Sequence, residues 1–260
     1  MFMTKPVHLT AMTLEDTIVL DGVKAINILK EERKLKGRIA GGMAVQGYTP
    51  KELHRETIDL DYALSWNGSA TEYRELCVPL VDFLRNQGYD VSFMKKGLAY
   101  EFIYKKENGG GSFMIQHPHR SNNHLGRIQH TLDREFENQR IVSKNDLSFD
   151  ALSPEDIIVT KLNRALIFSD RYGLAIPQEK TLSSLKETST KLRAEIISRT
   201  PEVSPRDVAL LRLVNDMYDI KCLTDTVGIN KKYFEEVLED WGRIDRDFFT
   251  FLSQMEVSVL

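Results

Sequence analysis

One stretch, residues 38–65, constrains the fold more than any other part of the chain: RIAGGMAVQGYTPKELHRETIDLDYALS. It begins as a short apolar strand, turns at Gly41-Gly42 into a short helix, and continues as a strand that carries Asp59 and Asp61. Side chains at i and i+2 of a strand point to the same face, so the two carboxylates project together. The stretch therefore predicts a strand–turn–helix–strand unit with two acids opposite a diglycine turn.

The acids and the glycines together predict a site for an anionic ligand and a cation. Adjacent carboxylates repel each other unless a cation or protons neutralise them. Mg²⁺ suits Asp59 and Asp61 because it binds carboxylate oxygens and keeps positions for water and phosphate. The backbone of Gly41 and Gly42 can approach a ligand closely, and amides at a helix start favour anions. We therefore expect a magnesium-bound triphosphate at this site.

The same stretch resembles a known superfamily, the DNA polymerase beta-like nucleotidyltransferases. It holds the glycines, the basic residue and the paired acids of that signature: Gly41-Gly42-x-Ala44 and Arg55-x-Thr57-x-Asp59-Leu60-Asp61. It is most similar to the AbiEii/MenT-like nucleotidyltransferase toxins of bacterial toxin–antitoxin and phage-defence systems. Asp-x-Asp alone also fits a solvated strand edge and Gly-Gly alone a plain turn, but their combination in one unit favours the site. The resemblance implies that the acids bind Mg²⁺ and that Gly41, Gly42, Arg55 and Thr57 bind the nucleotide.

Members of the superfamily usually have a third carboxylate on a strand beside the first two. Three strand-like runs follow the paired acids, at 89–94, 98–104 and 112–116, and glycine-containing loops separate them. The nearest matches to the third acid are Gln116, which we assign as a metal ligand, and Glu101. Glutamine supplies a carbonyl oxygen but no charge, which would weaken a two-metal site.

Residues 117–130 contain four histidines, with Arg120 and Arg127 between them: His117, His119, His124 and His130. A zinc site, a phosphate- or RNA-facing loop and a merely polar loop are the three interpretations. No cysteine lies nearby and the spacing matches no common zinc pattern, so a polar loop is preferred.

The second half of the chain predicts helices. Ser153-Pro154 and Ser204-Pro205 each place a capping serine before a proline, which is typical of helix starts. A charged amphipathic stretch near 182–198 predicts an inserted helix. We therefore expect an α+β fold in two domains: a nucleotidyltransferase-like mixed sheet with flanking helices in residues 1–150, and a helical domain in residues 151–260, with the active site in the cleft between them.

Two of these helices extend the resemblance to the toxins. The segment LSPEDIIVTKL is similar to a helix whose lysine, here Lys161, faces the nucleotide. The segment RLVNDMYDI is similar to a helix whose acid is required for activity, although Asn215 stands where the toxins have a basic residue. The resemblance implies catalytic roles for Lys161, Asp216 and Asp219. An ordinary surface lysine and a structural ion pair are the alternatives.

The composition of the chain narrows the classes of protein to which it can belong. The chain has 260 residues, of which 42% are hydrophobic and 28% charged, as in ordinary globular proteins. Its net charge of −3 argues against a general nucleic-acid binder. The two cysteines have no metal-ligand spacing and the N-terminus is unlike a secretory signal, which together favour the cytoplasm. The sequence has no run of ~20 apolar residues, so no membrane span is expected.

The resemblance implies a reaction and partners. A nucleoside monophosphate would pass from an NTP to an acceptor hydroxyl, at the tRNA 3′ end or on a protein, and pyrophosphate would leave. The protein would then be a growth-inhibiting toxin with a cognate antitoxin. The alternatives are a small-molecule nucleotidyltransferase of the antibiotic-modifying kind, and a non-catalytic member that binds a nucleotide or a partner.

Overall fold

A computed structural model of the protein describes most of the chain. The described residues are 11–57, 59–64, 70–96, 99–107, 109–116, 134–144, 146–175, 181–199 and 202–241. They belong to two compact units, one within His8–Ser153 and the other from Pro154 onward.

The first unit contains both strands and helices. Its described strands are β1 (Gly37–Ala40), β2 (Asp59–Leu64), β3 (Asp90–Lys96), β4 (Ala99–Lys106), β5 (Gly109–Gln116), β6 (Arg140–Lys144) and β7 (Leu147–Ala151). Its described helices include α1 (Thr17–Arg33), α2 (Gly41–Tyr48), α3 (Ala70–Leu76) and α4 (Val78–Asn86), with a 3₁₀ turn at Lys51–Leu53 and a helical turn at 134–137.

The described strands of this unit form one mixed sheet in the order β3-β4-β5-β2-β1-β7-β6. Strand β2 runs antiparallel to β1 and parallel to β5, and β1 runs parallel to β7. The strand that carries the two acids is therefore central in the sheet. Strands and helices in one unit, followed by helices in the other, confirm the predicted mixed α/β fold class.

Helix α1 packs on one face of the sheet. The Tyr104 hydroxyl of β4 donates to the Ile18 carbonyl at 2.8 Å, and the Asn27 amide donates to the Ser148 carbonyl of β7 at 2.8 Å. The residues at helical spacing, Ile18, Val19, Val23, Ile26 and Leu29, form the apolar stripe of this helix, and all of them except the half-buried Ile18 are buried.

Some local predictions in this unit are wrong. The glycines at 109–111 were expected in a hairpin loop, but they begin β5. A Cβ at Gly111 would lie 2.7 Å from the Tyr104 hydroxyl oxygen, so close packing against that ring requires a glycine in the strand. The helical spacing of Leu76, Leu80, Phe83 and Leu84 predicts one helix from Thr71 to about Gln87, but the structure divides this region into α3 and α4 at Cys77.

Other parts of this unit were not foreseen or cannot be compared. The hairpin of β6 and β7 had no counterpart in the sequence-based prediction. Its strands alternate exposed and buried residues over only five positions each, which is a weak signal. The histidine-containing segment 117–130 lies outside the described residues.

The described residues of the second unit are helical. The helices are α5 (Pro154–Tyr172), α6 (Leu182–Ser198), α7 (Pro205–Thr226) and α8 (Lys231–Trp241). The cap predicted at Ser204 forms, because its hydroxyl accepts from the Asp207 amide at 3.1 Å. At the start of α8, the Asn230 side chain accepts from the Tyr233 amide at 3.3 Å. The sequence also predicts a helix at residues 245–252, which lie outside the described part of the chain.

The first turn of α5 also holds the start of α8. The Glu155 carboxylate accepts from the Asn230 amide at 2.8 Å, and the Tyr233 hydroxyl donates to the Asp156 carboxylate at 2.7 Å. Both acids are buried. A negative charge at a helix N-terminus is favourable for α5, and the two hydrogen bonds join α5 to α8. No helix in the described residues has the length and apolar composition needed to cross a membrane.

Candidate functional site

The candidate site is built around the turn between β1 and α2. Gly41 has φ +66°, in the left-handed region that favours glycine, so the chain can leave β1 at Ala40 and start the helix at the next residue. Ala40 occupies the N-cap position and has no side-chain oxygen to accept from the first-turn amides. A helix start of this kind favours an anionic ligand or side chain.

An acid of β2 lies against this turn. The antiparallel register pairs Asp61 with Ala40, which places Asp61 beside the start of α2. A Cβ at Gly41 would overlap the Oδ2 atom of Asp61. The missing side chain at position 41 therefore leaves room for the carboxylate, and the structure brings this acid and the first glycine together.

The second acid lies on the same face of the strand. Asp59 and Asp61 are half-buried and alternate with the buried Leu60 and Tyr62, as expected for neighbours two residues apart. The Thr57 hydroxyl donates to the Asp59 carboxylate at 3.3 Å. We call Asp59 and Asp61 the acid pair.

The loop before β2 brings a cation and a hydroxyl to the second glycine. A Cβ at Gly42 would lie 3.0 Å from the Arg55 guanidinium and 3.6 Å from the Thr57 hydroxyl. Both groups therefore lie at the first turn of α2. We call the whole arrangement the diglycine site, and it consists of Gly41, Gly42, Arg55, Thr57, Asp59 and Asp61.

The chemistry of the diglycine site fits a magnesium-bound phosphate compound. Mg²⁺ is usually held by one or two carboxylates together with substrate phosphates, so the acid pair is a sufficient protein contribution. A planar guanidinium and helix-start amides suit phosphate oxygens. Within the described ranges there is no group of three or more His, Cys, Asp or Glu side chains able to hold a metal.

The third predicted metal ligand is Gln116. Its backbone ends β5 and pairs with Ala63, while its side chain lies outside the described part of the chain. The β5 residues level with the acid pair are Ser112 and Met114. The role of Gln116 therefore stays a prediction, and the positions directly beside the acid pair on β5 carry no acid.

The alternative third acid, Glu101, is one strand farther away. It pairs with Met114, which in turn pairs with Asp61, so the three residues are level across β4, β5 and β2. Glu101 is only 1% exposed. Because neighbouring strands are about 4.8 Å apart, roughly 10 Å separates the backbones of Glu101 and Asp61. Glu101 is thus a buried acid on the same sheet, but not a direct neighbour of the acid pair.

In the helical unit, the three predicted catalytic residues contact one another. The Lys161 ammonium lies 3.2 Å from Asp216 and 2.6 Å from Asp219. All three side chains are at most 3% exposed. The Arg164 guanidinium adds two hydrogen bonds to Asp216, at 2.7 and 2.5 Å. Two cations and two carboxylates therefore form a balanced network between α5 and α7, which we call the ion cluster.

The ion cluster also shows how the chain accommodates Asn215. This residue stands where the resembling toxins have a basic residue, and its side-chain oxygen accepts from the Ser189 hydroxyl of α6 at 2.5 Å. The cations beside Asp216 are Lys161 and Arg164, both on α5. The catalytic roles of Lys161, Asp216 and Asp219 stay predictions.

Sequence reasoning missed a buried cation near the diglycine site. Arg38 of β1 pairs in register with Ala63, which places it on the same face as the acid pair. It is 3% exposed, forms an ion pair with Glu135, and its guanidinium lies 4.3 Å from the centre of the Phe136 ring. A charged residue inside an otherwise apolar strand was the signal available in the sequence.

Comparison with known proteins gives structural matches alone. No protein-family description matches the sequence, and no curated protein matches it. A crystal structure of an antigenic nucleotidyltransferase-like protein from Paracoccidioides brasiliensis matches with a TM-score of 0.49 and 12% identity, over 96% of this chain and 96% of that chain. The polymerase core of TRAMP, an RNA surveillance complex, matches with a TM-score of 0.28 and 13% identity, over 85% of this chain and 62% of that chain.

Proposed function

We propose that this protein is a nucleotidyltransferase that transfers a nucleoside monophosphate from an NTP to an acceptor hydroxyl. The observation that carries the proposal is the Asp61 carboxylate lying against Gly41, at a helix start that no side chain caps from the N-cap position. Asp59, Arg55 and Thr57 lie in the same small region. A magnesium-bound NTP is one of few ligands that would use carboxylates, a guanidinium and helix-start amides at the same site.

The residues of the diglycine site have distinct tasks in this reaction. Nucleotidyl transfer depends mainly on positioning and on neutralising charge. The acid pair holds Mg²⁺, which when bound offsets the negative charge of the triphosphate. The amides of Gly41 and Gly42 and the Arg55 guanidinium bind phosphate oxygens. The acceptor hydroxyl attacks the α-phosphorus, the bond to the bridging oxygen breaks, and pyrophosphate leaves.

We further propose that the acceptor is the tRNA 3′ end or a protein hydroxyl, and that the protein is a toxin controlled by a cognate antitoxin. This finer proposal rests on the resemblance of the motif-bearing segments to nucleotidyltransferase toxins. The same resemblance supports catalytic roles for Lys161, Asp216 and Asp219, and a metal-binding role for Gln116.

A transfer assay tests the reaction. The protein is incubated with each of four α-³²P-labelled NTPs and Mg²⁺, together with total tRNA, total cell protein, the protein alone or an aminoglycoside panel. We expect labelled tRNA or protein, abolished by EDTA and reduced at least 100-fold by Asp61→Asn. Asp82→Asn is the matched control, because Asp82 is an exposed acid of the same unit. Equal activity of the two variants would contradict the proposal, and label on the aminoglycosides would favour the antibiotic-modifying alternative.

A second candidate is a protein that binds nucleotide without transferring it. It is favoured by Ser112 and Met114, which occupy the positions on β5 level with the acid pair, where a transferase of this kind is expected to have an acid. Magnesium-dependent NTP binding by the wild type, with no labelled product from any acceptor, would support this candidate.

A further inference from the structure

One buried side chain connects the two halves of the diglycine site. Gln46 lies on α2, one turn after the glycines, and is 2% exposed. Its amide nitrogen donates to the Arg55 carbonyl at 2.7 Å, and its amide oxygen accepts from the Leu14 amide at 2.6 Å. The helix that presents the glycines therefore holds the loop that presents Arg55, and holds the segment before α1 as well.

That segment, residues 12–15, also contacts the loop directly. The Met12 amide donates to the Thr57 carbonyl at 2.8 Å, and the Thr57 amide donates to the Met12 carbonyl at 2.9 Å. These two hydrogen bonds form an isolated antiparallel bridge. The backbone of Thr57 is thus held by the same segment that Gln46 contacts at Leu14.

His54, the first residue of this loop, contacts two other parts of the chain. The His54 side chain is 2% exposed, with Nδ1 lying 3.0 Å from the Glu15 carboxylate and Nε2 lying 3.0 Å from the Thr49 carbonyl. Neither acceptor carries a proton, so both contacts are hydrogen bonds only when both ring nitrogens carry one. The Thr49 carbonyl also accepts from the Lys144 ammonium at 2.7 Å.

The pKa of Glu15, the acid that contacts His54, is shifted in the direction expected for an acid beside a positive charge. Burial raises the pKa of the Glu15 carboxyl, but the hydrogen bond and the positive charge of His54 lower it, and the net pKa lies below its ordinary value of 4.5. Glu15 therefore remains ionised beside the ring near neutral pH.

We propose that Gln46 and His54 are positioning residues of the diglycine site, which hold loop 54–57 so that Arg55 and Thr57 lie against Gly42. This positioning role depends on the proposed function in one respect, which is that the ligand is an NTP. A buried polar group that loses its partner costs free energy, so each contact restricts the loop to one arrangement. A small displacement of a binding group strongly reduces the productive positioning of a ligand. Gln46 and His54 therefore affect ligand binding, although both lie away from the ligand.

The first test measures ligand binding. Gln46→Met keeps the volume of the side chain but removes both hydrogen bonds. Tyr48→Phe is the matched control, because it removes a hydrogen bond from the same helix to the Leu152 carbonyl, away from the loop. The affinity for ATP, GTP, CTP and UTP with Mg²⁺ is measured by calorimetry. We expect at least tenfold weaker binding for Gln46→Met and less than a twofold change for Tyr48→Phe. His54→Gln should weaken binding in the same way.

The second test does not depend on the ligand. Hydrogen exchange is measured at the amides of Leu53, His54 and Thr57, which donate to backbone carbonyls. We expect at least tenfold faster exchange in Gln46→Met than in the wild type or in Tyr48→Phe. If Gln46→Met does not fold, Gln46→Glu replaces it, since the carboxylate still accepts from Leu14 but cannot donate to Arg55.

The two tests separate the possible failures. If the wild type binds no NTP, the proposed function fails, and faster exchange in Gln46→Met still supports the positioning role. Unchanged affinity and unchanged exchange overturn that role, even when the melting temperature falls. Unchanged exchange in a wild type that binds no NTP overturns both proposals.

Discussion

At the scale of single residues, Gly41 meets two requirements at once. Its φ of +66° strains any L-residue, and a Cβ there would overlap the Asp61 carboxylate. We predict that Gly41→Ala lowers the free energy of unfolding by about 1–2 kcal/mol through backbone strain. We also expect it to abolish binding of magnesium–NTP, because the carboxylate must move. Urea denaturation and calorimetry measure the two effects.

Gly88 supplies the control for this prediction. It has φ +84°, and the nearest atom to an added Cβ, on the Lys106 side chain, is 3.9 Å away. Gly88→Ala should therefore cause a similar loss of stability and leave NTP binding unchanged. Equal binding losses in the two variants would show that strain, and not the contact with Asp61, explains the effect at Gly41.

At the scale of elements, the ion cluster joins α5 to α7. Removing one partner of a buried ion pair leaves an uncompensated charge, which costs about 3–5 kcal/mol. We predict a loss of that size for Asp216→Ala, because this acid contacts both Lys161 and Arg164. Arg164→Ala should cost less than Asp216→Ala, since the Arg164 side chain is 40% exposed and solvent screens its charge. Chemical denaturation of both variants gives the comparison.

A double variant in the ion cluster distinguishes a structural role of Lys161 from a catalytic one. The double variant Lys161→Met with Asp219→Leu removes one charge of each sign and leaves the contact between Asp216 and Arg164. Apolar replacement of a buried ion pair is often neutral or stabilising, so the double variant should fold. If Lys161 is catalytic, this stable protein is inactive in the transfer assay. Full activity would assign the cluster to packing alone.

At the scale of the whole molecule, stability should depend on pH through Glu15. Its pKa is lowered on folding, so its contribution to stability is complete above the ordinary value of 4.5 and is lost as the pH falls through the lower folded value. We predict that Glu15→Gln destabilises the protein at neutral pH and that the difference from the wild type shrinks under acid conditions. Unfolding midpoints between pH 3 and 7 measure this difference.

An exposed ion pair provides the comparison for Glu15. The pKa of Glu187 is also lowered, by the hydrogen bond and charge of Lys191, but this pair lies on the surface of α6. Solvent screening makes such pairs weak, so Glu187→Gln should change the pH dependence much less. A larger effect at Glu187 than at Glu15 would contradict the buried contact between Glu15 and His54.

Much of the local structure could be predicted because its causes lie within a few residues. The alternation around Asp59 and Asp61 predicted that both acids share a face, and the Ser204-Pro205 cap predicted the start of α7; the structure has both. The glycines of β5 were misassigned because their reason is the Tyr104 ring of a neighbouring strand. Likewise, Arg164 was not singled out in the sequence, because its contact with Asp216 joins residues that are 52 positions apart.

The sequence by itself determined where the helix caps of the second half lie, that two acids share one face of a strand, and that these acids follow a diglycine turn. These features depend on periodicity and on hydrogen bonds between near neighbours. Only the tertiary structure decided that Asp61 lies against Gly41, that Arg38 is buried with Glu135, and that Gln46 holds the Arg55 loop. Such contacts join residues that are separate along the chain, and their partners are selected by strand register and packing, which no local pattern records.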